Sequence, residues 1–377
     1  MQKYLFLLWR EPALSLAELR SIFSSVEQKW PFAYVQDEEW TIDLYKKWLG
    51  WTIKIAKILV EWVKKAELLN LAVSVIEKKV VPEKKLRIGI DCFVPSLNSL
   101  VFKVKDGLRK KWNSIRVVQH DNGRIKNATT LHEKLIEQGI ELIVFADGLG
   151  YVIAETVWIQ DIESYSDRDM NRDRSMTVGM MPPKIAQIMI NLWTQGDYNC
   201  IVWDAFCGLG TTLIEALHAG HAQLRGSDLE NAMIVATQKN IEKQPNYDPK
   251  KVKIFPLDAT KIDTYKLDSS AIVVTEWMLG KNFTQSTLTW EAALQERKKL
   301  TQLYQGFLDA GYQNSDVKKM VFCLPFWNIW KEIIYMPEIH QLSQSWKVDP
   351  LCVSGKRYLI HARPGQSVGR EIVIVKK

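Results

Sequence analysis

Four acidic side chains in the second half of this 377-residue chain stand where short apolar runs end: Asp204, Asp228, Asp258 and Glu276. Ile201 and Val202 lead into Asp204, a Cys207-Gly208-Leu209-Gly210 turn follows, and Thr211 and Thr212 open a helical stretch. A strand, a glycine turn and a helix N-terminus build a place where backbone N–H groups face a ligand and no side chain blocks its approach. Asp228-Leu229 closes Leu224-Arg225-Gly226-Ser227, at the roughly twenty-residue offset of a carboxylate that accepts from ribose hydroxyls in a doubly wound sheet. Asp258-Ala259 ends a third such run, and Ile272-Val273-Val274-Thr275 carries a fourth into Glu276-Trp277-Met278-Leu279-Gly280. Taken singly, a glycine turn is often structural, and Asp228 and Asp258 also suit helix N-caps or turns.

The spacing narrows the chemistry. Asp-x-Phe-Cys-Gly-x-Gly-Thr over Asp204, Phe206, Cys207, Gly208, Gly210 and Thr211 is not Gly-x-Gly-x-x-Gly, and no Gly-Lys-Ser/Thr follows, so it matches neither the dinucleotide fingerprint nor the P-loop. An acidic residue just before the turn would repel a pyrophosphate but could hold the amino group of a methionine-type ligand.

The elements that must position these residues alternate from residue 200 onward: strands at 200–204, 223–227, 251–255, 271–275 and 318–323, helices at 211–219, 230–242 and 295–310. That alternation predicts a parallel sheet with helices on both faces, closed by a hairpin over 358–362 and 370–375. Met181-Pro182-Pro183-Lys184 starts a helix whose Ile185, Ile188, Met189 and Leu192 share one face. Before it the pattern is α+β: a strand at 3–9, a helix announced by the capping box Ser15–Glu18, strands at 31–36 and 51–59, a helical or mixed stretch at 60–82, then a strand at 86–90, a basic helix at 97–111, a strand at 115–118, a helix capped by Thr130–Glu133 and a hairpin over 141–158. The formal charge of +7 permits an anionic partner without demanding one. Five dispersed cysteines with no C-x-x-C, and six histidines without ligand spacing, predict no disulfide framework and no metal, and a reducing cytoplasm. No signal peptide or membrane span is expected.

The motif at 204–211 resembles the first motif of class I methyltransferases that use S-adenosylmethionine (SAM), in the branch that methylates exocyclic amines. Together with Tyr4-Leu5-Phe6, Ser15-Leu16-Ala17-Glu18-Leu19, Asn127-Ala128, the charged run Arg168–Arg174 and Met181-Pro182-Pro183-Lys184-Ile185-Ala186, the chain resembles the THUMP-containing tRNA guanosine-N2 methyltransferases, which modify guanosine ten. The resemblance implies an N-terminal α+β, ferredoxin-like region at 1–85, a THUMP-like RNA-binding domain at 86–160, a linker at 161–180 and a Rossmann-like methyltransferase domain at 181–377. It implies SAM held by Asp204, Phe206, Cys207, Gly208, Gly210, Thr211, Asp228, Leu229, Asp258, Ala259 and Thr275, with Asp258 accepting from the adenine amino group. It implies tRNA on Lys103, Arg109, Lys110, Lys111, Arg168, Arg172 and Arg174, and in some relatives a small activator subunit.

Glu276, Trp277 and Leu279 occupy the catalytic motif, which in this branch reads Asp/Asn-Pro-Pro-aromatic. Its side-chain oxygen accepts from the amine and its ring stacks on the extruded base. Here Glu276 holds the acceptor position, both prolines are absent, Leu279 cannot stack, and Trp277 offers an aromatic face from another position. The alternatives are a degenerate methyltransferase that binds tRNA without turnover, and a DNA or protein amino-methyltransferase. Fifteen tryptophans are also many. Trp51, Trp112 and Trp346 stand in turn contexts that favour glycine, as if a stop codon decoded as glycine had been read as tryptophan, which would make Trp277 suspect too.

Overall fold

The computed structural model describes residues 1–8, 11–80, 85–120, 122–170, 181–194, 199–330, 332–349 and 359–377. Two compact units form, one from 1–12, 23–47 and 51–162, the other from 13–22, 48–50 and 163–377.

In the first unit, β1 (Gln2–Leu8), β2 (Val26–Lys29), β3 (Phe32–Asp37), β4 (Thr52–Val63), β5 (Leu86–Cys92), β6 (Ile115–Val118), β7 (Ile140–Ala146) and β8 (Tyr151–Ile159) make one sheet, ordered β2-β3-β1-β4-β8-β7-β5-β6. Residues 1–85 and 86–160 are therefore not separate cores: β4 pairs antiparallel with β8 across that boundary. Helices Leu68–Lys79 and Leu100–Leu108 bury Ala72, Ile76, Val101, Val104 and Leu108 with Ile88, Ile90, Leu142 and Val144. Lys54, fully buried, is paired with Asp91 and Glu141, and Glu141 also accepts from Thr130 and Thr156, so the charges are fully partnered as burial requires. The capping box expected at Thr130–Glu133 is not a helix start. Helix Asn127–His132 already runs through it, and Lys134 at φ 51° breaks the chain before Leu135–Gln138.

In the second unit, β9 (Ile201–Asp204), β10 (Gln223–Asp228), β11 (Val252–Pro256), β12 (Ala271–Glu276), β13 (Val317–Ile329), β14 (Glu332–Tyr335), β15 (Lys347–Val348), β16 (Ile360–His361) and β17 (Val368–Lys376) form a nine-stranded sheet. Its main path is β11-β10-β9-β12-β13-β17-β15, with β14 on β13 and β16 on β17. The ladders from β11 to β13 are parallel, while β17 runs antiparallel to β13. The strand order reverses between β9 and β12, and in such sheets ligands bind beyond the carboxyl ends at that point. Trp203, Val273, Leu300, Tyr304, Phe307 and Phe322 fill the core under helix Trp290–Gln313.

Two local expectations change. The helix placed after Ser15 begins at Pro12, a residue suited to the first helical position. Glu18 is then no cap; buried, it accepts from the Gly50 amide and the Asn191 side chain, both at 2.7 Å. Trp51, Trp112 and Trp346 are buried and have no positive φ, so the backbone there does not call for glycine. The tryptophans at positive φ are Trp62 (58°) and Trp330 (59°). Among the described residues, no helix is long and apolar enough to cross a membrane, and no His/Cys/Asp/Glu group could hold a metal ion.

Candidate active site

At the switch point the glycine turn takes the shape its residues require. Gly208 and Gly210 adopt φ 49° and 86°, conformations that cost other residues about 1–2 kcal/mol. A Cβ on Gly210 would meet Thr237 Cγ2 at 3.0 Å. Helix Asn231–Glu242 ties the turn down: the Thr237 hydroxyl donates to the Gly208 carbonyl at 2.6 Å and the Asn240 amide to that of Leu209 at 3.0 Å. Helix Thr211–Ala219 follows with Gly210 as its N-cap.

Each carboxylate is set by its strand end. Asp204, last in β9, is buried and accepts from the Thr275 hydroxyl (2.5 Å) and the Phe206 amide (3.3 Å). Burial pushes its pKa up to about 7, partly offset by those two bonds. Asp228, last in β10, accepts from the Glu230 amide on Oδ1 and the Gly208 amide on Oδ2, both at 3.0 Å, so both oxygens are fixed and each keeps a lone pair. Asp258 caps the short turn Ala259–Thr264, its Oδ1 accepting from the Thr260 amide and hydroxyl at 2.9 and 2.8 Å; the cap reading holds, and Oδ2 stays open to a ligand.

These residues surround a cavity of about 560 Å³, within the ~300–1,000 Å³ of small-molecule sites. Its lining brings together Asp204, Phe206, Cys207, Gly208, Thr211, Asp228, Leu229, Asp258, Ala259, Glu276, Trp277 and Leu279. Gly210 and Thr275 lie behind it, one shaping the turn and one holding Asp204. A cradle that a Cβ would fill, with carboxylates around it, fits a nucleoside carrying an amino acid.

The catalytic motif is arranged differently from the sequence reading. Trp277 is 1% exposed, its ring against Phe322 (4.2 Å, stacked), Tyr304 and Phe307. That ring is core, not a platform open to a base. Leu279 borders the cavity as an aliphatic wall. Glu276 forms a two-point ion pair with Arg370 of β17, a partner that sequence reasoning missed; the signal was a basic residue near the start of a largely apolar terminal strand. The Thr237 and Asn240 tethers were missed too, being ordinary polar residues until the helix turns them onto the loop.

Of the residues proposed for RNA, Lys103, Arg109, Lys110 and Lys111 are exposed in and just after helix Leu100–Leu108. Arg168, in helix Ile162–Met170, is instead bound to buried Glu215, its Nε 2.9 Å from Oε1 and its second nitrogen 3.2 Å from Oε2. A guanidinium spent on a buried carboxylate is not offered to phosphate. Arg172 and Arg174 lie outside the described residues.

No family model and no curated protein matches the sequence. Solved structures do. TrmN from Thermus thermophilus aligns over the whole of both chains with a TM-score of 0.52 at 12% identity. SMU.472, a candidate methyltransferase complexed with SAH, aligns over 99% of this chain and 98% of its own at 11% identity and a TM-score of 0.48. A Listeria monocytogenes protein described as an N6-adenine-specific DNA methylase aligns over 85% and 88% at 10% identity and 0.46. At these identities the likeness is one of fold. The chain has the Rossmann-like class I methyltransferase fold preceded by an α+β region.

Proposed function

We propose that the second unit binds SAM and methylates the exocyclic N2 of a guanosine in tRNA, at position ten by resemblance, in the cytoplasm, with the first unit serving as a THUMP-like hold on the RNA. The observation that carries this reading is the row of carboxylates at the ends of β10, β9 and β12, gathered around one glycine turn. Asp204 would take the amino group of the methionine part, Asp228 the ribose hydroxyls and Asp258 the adenine amine, while the 208–210 turn leaves room for close approach.

The chemistry SAM supplies when bound is a methyl on sulfonium sulfur: the N–C bond forms as the C–S bond breaks, and sulfur keeps the electron pair as a thioether. This chain's residues hold and orient. Glu276 accepts an N–H of the amine, leaving more electron density on a nitrogen whose lone pair is otherwise drawn into the ring, and the proton shed after transfer goes to solvent. Alignment supplies most of the rate.

Radiolabelled transfer from SAM to unmodified tRNA, followed by nucleoside analysis, tests the reading. N2-methylguanosine is expected, with Asp204→Ala losing SAM binding and Glu276→Ala keeping binding but not turnover. Unchanged methylation by Glu276→Ala refutes its role, and no calorimetric heat with SAM or its demethylated product refutes the site. The burial of Trp277 and the aliphatic Leu279 favour one second reading, a tRNA-binding protein without turnover; SAM and tRNA binding with no transfer would select it.

A further inference from the structure

Arg370 stands two strands from Glu276. Between them Cys323, at the middle of β13, pairs with Glu276 on one side and with Ile372 on the other, so the arginine reaches across the face of β13 into the cavity. Its Nε donates to Oε1 and a terminal nitrogen to Oε2 at 3.3 Å. The two side chains are 6% and 12% exposed, and both line the cavity. Burial opposes the guanidinium charge, but adjacent Glu276 outweighs it and raises the Arg370 pKa above the ordinary value. A planar fork meeting a carboxylate at two points fixes the plane of that carboxylate as well as its charge.

The consequence is chemical. A carboxylate so held can only accept, and each oxygen keeps a lone pair beyond the one given to arginine. Two coplanar acceptors match a base edge with two adjacent N–H donors. Guanine offers N1–H beside N2–H. Adenine and cytosine place a ring acceptor beside their amine, which would face an anion, and uracil has no amine. We propose that Arg370 is a positioning residue that fixes Glu276 as a two-acceptor reader of the guanine edge, so that base choice is made by the ion pair and not by an aromatic platform. The proposal rests on the methyl-transfer reading above.

The test compares transfer to RNA carrying guanosine or 2-aminopurine ribonucleoside at the target. The second base keeps the amine but has a bare N1. The wild-type protein should favour guanine by about tenfold or more, the scale of one two-point contact. Glu276→Gln, which presents one acceptor and one donor, should reverse that preference. Arg370→Lys should keep SAM affinity by calorimetry yet lose kcat and most of the discrimination. Retained guanine preference in Glu276→Gln, or an unchanged ratio in Arg370→Lys, overturns the proposal. A wild-type protein that binds no SAM or methylates no base removes the underlying reading instead, and calorimetry tells that failure apart.

Of the three non-glycine residues at positive φ among those described, two are Trp62 and Trp330. Trp62 lies where the β4–β8 register shifts between the Val60 and Val63 pairs, a bulge whose left-handed residue is characteristically glycine. Trp330 follows Ile329, which pairs with Glu332 across the β13–β14 hairpin, and positive φ in a hairpin turn favours Gly, Asn or Asp over a bulky aromatic. They are 61% and 95% exposed, so neither indole repays the strained backbone by burial. We infer that positions 62 and 330 are glycines in the native protein, specified by a stop-type codon read here as tryptophan. Sequencing the gene and measuring the tryptic peptide masses of the protein from its source test this. A shared UGA codon at both positions, unlike the codon of core Trp203, with peptides of glycine mass, is expected. UGG at either position, or peptides of tryptophan mass, ends the idea.

Discussion

Asp204 carries a burden that only a ligand relieves. With its native pKa near 7 against an ordinary carboxylate value, the folded protein binds more protons than the unfolded chain between about pH 4 and about pH 7, so this residue's contribution to stability falls as pH rises through that window and stays low above it. Asp204→Asn keeps an acceptor for Thr275 and Phe206 but cannot ionise. Its urea midpoint should exceed that of the wild type by a margin that widens from about pH 5 to about pH 8, while SAM affinity falls. A margin independent of pH would mean that Asp204 titrates normally. SAM binding to the wild type should strengthen as pH rises through about 7, because the ionised carboxylate is the better acceptor for an ammonium group.

The glycine turn and the strand beside it use glycine for two different reasons. Gly210 is needed for its backbone, and Gly210→Ala should cost about 1–2 kcal/mol together with most of the cofactor affinity. Gly226, in β10, is needed for space: a Cβ there would meet Leu213 Cδ1 at 2.5 Å and Cys207 Cβ at 3.5 Å. Gly226→Ala should destabilise by about 1–3 kcal/mol through overpacking, with SAM affinity less affected than stability. Urea melts alongside calorimetry separate the two cases, and equal losses of affinity would contradict the division. Elements with strong periodicity were legible, including 115–118 and 211–219 at their observed bounds. The short β2 was not, because Val26-Glu27-Gln28-Lys29 has one apolar residue and owes its pairing to β3.

The net charge of +7 has a local expression in the first unit, where Lys103 and Lys110 stand exposed and the Arg109–Asp106 and Lys111–Glu77 pairs, at 3.3 and 3.0 Å, are largely solvated. Exposed pairs of this kind contribute about 0–1 kcal/mol and give way readily to phosphate. Replacing Lys103, Arg109 and Lys110 by glutamate should weaken tRNA binding and lower the slope of log affinity against log salt by about 2 or more, without changing SAM affinity. An unchanged slope in filter-binding titrations would place the RNA elsewhere. Arg168→Ala should act on stability instead, since it strips buried Glu215 of its partner, a change that costs about 3–5 kcal/mol for a fully buried pair.

The doubly wound sheet, the glycine turn and the acidic strand ends were all present in the order of the residues, because period-2 and period-3.6 patterns, glycines and caps act over a few positions. The methyltransferase-like motif was readable for the same reason. What folding added came from residues far apart in the chain. Arg370 meets Glu276 across ninety-four positions, Trp277 disappears into a ring cluster drawn from helix Trp290–Gln313 and β13, and Arg168 is taken by Glu215. The 85/86 boundary dissolves because β4 and β8 share hydrogen bonds. Ion pairs, ring packing and strand neighbours depend on which surfaces the sheet order brings together, and no local spacing encodes that order.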